Sequence, residues 1–130
     1  MAEMKIAIEG LTPTNGTMPI SGSVTLAGGS TPAFTSLTNA TTGTGLTADF
    51  GAPQANITTE VIVTGTVTTG VVTLDTSQDG TNWVPNGNLT PISNTNGMIS
   101  VSNEAWRYGR ARISTNIAGG ATVTCTLMAR

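Results

Sequence analysis

At 130 residues, with 38% hydrophobic and 9% charged, the chain has room for one domain and for a core that needs no metal or disulfide staple. Its net charge of −2 opposes nucleic-acid binding, which calls for a basic field, and no apolar run reaches the length of a membrane span. Histidine is absent and cysteine occurs once, which removes the commonest general base, a zinc site of the usual nitrogen and sulfur kind, and an internal disulfide framework.

The charged fraction lies well below the roughly 25% of ordinary domains. About one residue in five is Thr, β-branched and suited to a pleated strand. Hydroxyls leave water more cheaply than ions do, so a Thr-rich surface suits an assembled or extracellular state.

The first residues, Met1–Glu9, carry acids and lack the apolar stretch of a signal peptide. The expectation is synthesis in the host cytoplasm. Lys5–Glu9 reads as a short strand and Ile20–Leu26 as a second. Ala27–Gly45 is rich in Gly, Ser, Thr and Asn, with Phe34 and Leu37 as its large apolar anchors, and reads as a long loop or extended arm. The chain thus divides into 1–44, N-terminal strands and arm, and 45–130, the core of one domain. Deleting residues 1–40 is expected to leave a folded sandwich.

From Leu46 the period-two alternation of strands strengthens, and helical periodicity never lasts beyond a turn. Leu46–Phe50 is short. Ile57–Thr64 sets Ile57, Thr59, Val61 and Val63 on one face. Val71–Thr76 follows, and Asp79-Gly80 reads as a tight hairpin turn with Thr81–Val84 as the returning strand. Pro85-Asn86-Gly87-Asn88 reads as another turn, with short strands at Leu89–Ile92 and Met98–Ser102. Trp106–Ser114 and Ala121–Met128 close the chain. In the last, Ala121, Val123, Cys125 and Leu127 share one face and Thr122, Thr124 and Thr126 the other, so Cys125 reads as a small buried hydrophobe. Eight to ten short strands at this spacing predict an all-β fold, an antiparallel β-sandwich of jelly-roll-like kind.

Three segments in order carry a resemblance: Val72–Pro85, with Ser77-Gln78-Asp79-Gly80-Thr81-Asn82-Trp83 at its centre; Trp106–Ile113, with Arg107-Tyr108-Gly109-Arg110-Ala111-Arg112; and Gly119–Thr124. Over about Gly45 to Arg130 the chain resembles a family of small β-sandwich proteins of tailed bacteriophages and prophages, whose layout is similar to discoidin-like and carbohydrate-binding jelly rolls. Gly109 stands where that family more often has Val, which predicts looser packing there. The resemblance implies a virion component, in head decoration or in the tail.

Candidate sites divide between chemistry and architecture. A Ser or Thr nucleophile would find its base only among seven acids, five Lys or Arg residues and Tyr108, so no catalytic residue and no enzyme activity are expected. Asp75, Asp79 and Asn82 offer oxygen ligands to calcium, but turn chemistry explains Asp79-Gly80 more simply. No metal and no cofactor are therefore expected. Trp83 and Trp106 serve either as sugar platforms or, by preference, as core-edge packing.

Strict alternation puts Trp106, Tyr108, Arg110 and Arg112 on one strand face, with Arg107, Gly109, Ala111 and Ile113 on the other. The aromatic and Arg face reads either as an interface, enriched in hot-spot residue types, or as an ion-pair set with Glu60, Asp75 or Glu104. The residues expected at a partner interface are thus Trp106, Tyr108, Arg110, Arg112, Trp83, Phe34 and Leu37.

These readings converge on a capsid decoration (cement) protein that binds major capsid subunits and neighbouring copies of itself on the outside of a phage head. The alternative is a tail-associated module with a glycan or receptor partner; an ordinary soluble sandwich is a third reading. Neither nucleic acid nor membrane is expected as a partner.

Overall fold

The computed structural model describes residues 32–130, and the strands expected at Lys5–Glu9 and Ile20–Leu26 lie outside them. The described residues are all-β. Nine strands run β1 (Phe34–Ala40), β2 (Gly43–Thr44), β3 (Ala48–Gln54), β4 (Ile57–Thr64), β5 (Thr69–Ser77), β6 (Val84–Leu89), β7 (Gly97–Val101), β8 (Trp106–Ala118) and β9 (Thr122–Ala129).

They form two antiparallel sheets. The first has the order β1-β9-β4-β7; the second has the order β2-β8-β5-β6, with β3 also pairing β8. β2 and β3 share one edge of the long β8, β2 against Arg112 and Ile113 and β3 against Trp106 to Gly109. Counting them as one position, the chain crosses between sheets at every step except the β5–β6 hairpin. That is a jelly-roll-like order, two Greek keys wrapped together.

Alternation decides what lies between the sheets. Ile57, Thr59, Val61 and Val63 of β4 stand in register opposite Ala129, Leu127, Cys125 and Val123 of β9, and all are buried. The second sheet answers with Val72 and Leu74 of β5 and Ala111 and Ile113 of β8. Each Val, Leu or Ile among them contributes roughly 1.5–3 kcal/mol on burial. Burial also pushes the Cys125 thiol up to about 12, as expected of a small buried hydrophobe.

Three expectations need correction. The stretch read as a loop or arm contains β1 and β2. β1 pairs β9 from Phe34↔Leu127 to Ala40↔Val123, and Leu37 belongs to the core. Its pattern hides because the pairing is bulged twice and because an inward position is polar. Ser36 is buried, donates to the Leu46 carbonyl at 2.7 Å and accepts from the Ala111 amide at 3.0 Å. A 1–40 deletion therefore removes a sheet edge.

Second, the β5–β6 connection is the longer loop 78–83 rather than a two-residue turn, and Pro85 to Asn88 lie within β6. Gly87 serves packing there: a Cβ would come within 2.6 Å of the Ile99 side chain. Third, β3 begins at Ala48, leaving Leu46 68% exposed. Leu89 ends β6, and Ile92 makes only an isolated bridge with Thr95.

Candidate functional site

The outer side of the second sheet carries the charged side chains that alternation singled out. β5 sends Val72 and Leu74 inward, so Thr73 and Asp75 point outward, and register sets Asp75 opposite Arg110 and Thr73 opposite Arg112. Asp75 is only 2% exposed, under two arginines that are 23% and 30% exposed. Arg112 grips it with two bonds, Nε to Oδ2 at 2.8 Å and Nη2 to Oδ1 at 3.0 Å; Arg110 Nε reaches Oδ2 at 3.2 Å. The bonds to Asp75 raise the pKa of Arg112.

One carboxylate thus serves two guanidinium groups, and among the described residues one positive charge is left uncompensated. The Arg110 guanidinium lies over the Trp83 ring, 4.0 Å from its centroid, held by cation–π attraction. Trp83 is half-buried on this outer side, rather than at the core edge where the sequence was expected to put it. The loop that delivers it is built on Asp79. Its Oδ1 accepts from the amides of Thr81 and Asn82, both at 2.8 Å, and from Ser77 Oγ at 3.0 Å; Oδ2 accepts from Asn82 Nδ2 at 2.7 Å. The Asn82 and Thr81 amides hold this carboxyl far below the usual range. Asp79 thus serves its loop and Asp75 its arginines, as the turn and ion-pair readings proposed.

Polar side chains continue the face along the sheet. Thr73 Oγ1 bonds Asn88 Oδ1 and Ser114 Oγ, each at 2.8 Å. At the other end Gly80 caps the Tyr108 ring, where a Cβ would stand 3.5 Å from the ring atoms. Arg107 comes 5.3 Å from the same ring and pairs Asp49 through Nε at 2.9 Å and Nη2 at 3.2 Å. Those bonds lower the Asp49 pKa and raise that of Arg107.

Of the expected interface residues, the fold brings together Trp83, Tyr108, Arg110 and Arg112. It separates the other three. Trp106 packs against the core and its Nε1 donates to Glu104 Oε1, which also accepts from Asn86 Nδ2 at 2.8 Å. The Trp106 bond, then the Asn86 bond, lower the Glu104 pKa. Phe34 is half-buried at the start of β1, and Leu37 is core. The sequence reading missed Thr73, Asn88 and Ser114. Their signal was faint: uncharged residues in strands, brought together only by the register.

Among the described residues, no group of three or more His, Cys, Asp or Glu side chains gathers as a metal site. What the face offers is recognition of a carboxylate or another anion by guanidinium donors backed by an indole, on a sheet surface otherwise coated with hydroxyls and amides.

The fold and this face define an antiparallel β-sandwich of jelly-roll-like order with a cationic, aromatic outer side. No protein-family model matches the chain, and no curated protein matches it in sequence. Among solved structures it is similar to the SPBc2 prophage-derived protein YomS, at 11% identity and TM-score 0.57 over 84% of this chain and 98% of that one. It is also similar to the PBSX exported protein XepA, at 15% identity and TM-score 0.57 over 98% of this chain and 49% of that one. The chain therefore spans about half the length of XepA. At these identities the likeness is one of fold.

Proposed function

We propose that this chain is a phage-associated structural protein, a decoration (cement) protein that adheres to major capsid subunits on the outside of the head through the Trp83–Arg110–Arg112 face. The observation that carries the reading is that face itself. Two guanidinium groups share one buried carboxylate, and one of them is stacked on an indole. Arg and Trp are the residues that dominate interface energetics when water is excluded around them. The surrounding Thr, Ser and Asn side chains leave water at modest cost. The fold likeness to two prophage proteins supports a phage origin. In this reading the protein binds rather than catalyses, and its surface chemistry is spent on adhesion.

The glycan reading draws less support. Trp106 packs on the core and its indole N–H is taken by Glu104, while one side of the Trp83 ring is covered by Arg110.

The test is to purify heads with and without the protein and to rebind wild type and Trp83→Ala. The expected result is stoichiometric copy number on heads, earlier rupture on heating or osmotic shock without the protein, and no rebinding by the variant. A few copies at the tail, with heads equally robust without them, would overturn the reading.

A further inference from the structure

The outer side of the first sheet is unlike that of the second. Along β4 the outward residues are Thr58, Glu60, Ile62 and Thr64, and along β9 Thr122, Thr124, Thr126 and Met128. Glu60 stands at the centre of this face, in register with Met98 of β7 on one side and Thr126 of β9 on the other. Large apolar side chains surround it in the open: Ile62, Met98 and Met128 are all exposed. Glu60 itself lines a hollow of about 340 Å³, together with Asn56, Thr58, Thr126, Met128 and Arg130 among others.

A charge inventory links the two faces. Five acids occur among the described residues. Asp49 pairs Arg107, Asp75 is held by Arg110 and Arg112, Asp79 serves its own loop, and Glu104 accepts from Trp106 and Asn86. Glu60 has no hydrogen-bond or ion-pair partner among the described residues, even though Arg130 shares the hollow with it. The second sheet carries the converse, one guanidinium more than its carboxylate can neutralise. Among the described residues, one outer face holds an anion without a partner in an apolar, hydroxyl-rich surround. The opposite outer face holds an unmatched cation on an indole.

We propose that the chain self-associates head to tail, with the Glu60 face of one copy seated on the Trp83–Arg110–Arg112 face of the next. This names one partner of the adhesive face and rests on the reading that the face binds protein. Because two different patches meet, the contact is heterologous and generates rows or rings rather than a closed twofold dimer. Four strands about 4.8 Å apart and about seven residues long present a face of roughly 450 Å². That is smaller than the roughly 800 Å² per partner of a standard stable interface. The contact is therefore weak in solution, and engagement of the same face by capsid subunits competes with it.

The geometry permits a test that a nonspecific contact does not pass. Glu60→Arg blocks one face and leaves the other intact; Trp83→Ala does the reverse. Sedimentation velocity on the full chain, up to millimolar concentration, is expected to show wild-type species growing with concentration and shrinking in high salt. Each variant alone stays monomeric, with an unchanged circular dichroism spectrum. Mixed in equal amounts, the variants form a one-to-one dimer and nothing larger, since each supplies the face the other lacks.

A wild type that is monomeric throughout, a Glu60→Arg chain that associates like wild type, or a mixture that stays monomeric overturns the inference. Head binding separates the two claims. If the mixture stays monomeric while Trp83→Ala still fails to rebind heads, self-association is lost and the decoration reading stands. If Trp83→Ala rebinds heads like wild type, the decoration reading is lost whatever the mixture does.

Discussion

Asp75 and Thr59 are both buried polar side chains, and they illustrate opposite outcomes for such groups. Asp75 receives three guanidinium bonds and so keeps its charge satisfied beneath the surface. Thr59 is fully buried on the core side of β4, and its Oγ1 has no hydrogen-bond partner among the described residues. An unmade hydrogen bond costs the desolvation of its group, whereas an apolar side chain of the same shape carries no such penalty. Thr59→Val is therefore expected to raise stability by about 1 kcal/mol, read as a higher urea midpoint with an unchanged slope. A lower midpoint would mean that the hydroxyl has a partner. The alternation along β4 already puts Thr59 among Ile57, Val61 and Val63. What it cannot convey is that the hydroxyl goes unsatisfied there, since that depends on neighbours remote in sequence. The same limit applies to the candidate site. The Arg-x-Arg spacing on β8 was legible, and so was Asp75 as one of three possible partners, but Trp83 reaches Arg110 only through the course of the 78–83 loop.

Elements were legible where alternation was clean and hidden where polar or turn-forming residues broke it. β4 runs over the residues its pattern predicts, Ile57–Thr64, and β9 lies within one residue of its expected ends. β6 was missed because Pro, Asn and Gly are turn residues by local chemistry; the hairpin with β5 and the close approach of Ile99 override that preference. β1 was missed for its Ser, Thr and Asn content, although it contributes Leu37 to the core. Removing residues 1–40 is accordingly expected to abolish or broadly weaken cooperative thermal unfolding, because β9 loses one of its two neighbours and the buried Ala111 amide loses its bond to Ser36. A sharp melt at the full-length temperature would show β1 to be dispensable. Gly109 reverses another expectation. A Cβ there would lie 3.0 Å from the Leu127 side chain and 3.3 Å from the Phe50 ring, so neighbours already fill the space where looser packing is expected from the sequence. Overpacking of this kind typically costs about 1–3 kcal/mol. Gly109→Val should lower the urea midpoint accordingly, and pairing it with Phe50→Leu should restore part of the loss. A gain in stability from Gly109→Val alone would show that the site is underfilled after all.

For the whole molecule, the titrating groups set a pH window for stability. With no histidine in the chain, no side chain has an ordinary pKa between about pH 5 and 8, so stability should be level across neutrality. On the acid side Asp49, Asp79 and Glu104 all have pKa values below their ordinary 3.8, 3.8 and 4.5. A lowered carboxyl contributes stability that is complete above its unfolded pKa and is lost as pH falls through the folded one. Stability should therefore begin to fall near pH 4.5 and keep falling well below it, with Asp79 the last to be protonated. On the alkaline side the buried Cys125 thiol is raised from 9.0 to about 12. The sign is the opposite: the unfolded chain releases this proton first, so stability declines as pH rises above 9.0 towards 12. Urea midpoints measured across the range should trace a plateau with two shoulders. Asp79→Asn should lower the plateau and flatten the acid limb, because an amide keeps the Thr81 and Asn82 amide bonds but carries no proton-linked charge. Cys125→Ala should flatten the alkaline limb only. An acid limb unchanged in Asp79→Asn would mean that the loop carrying Trp83 is held by something other than its carboxylate, and the candidate face would then lack the support described for it.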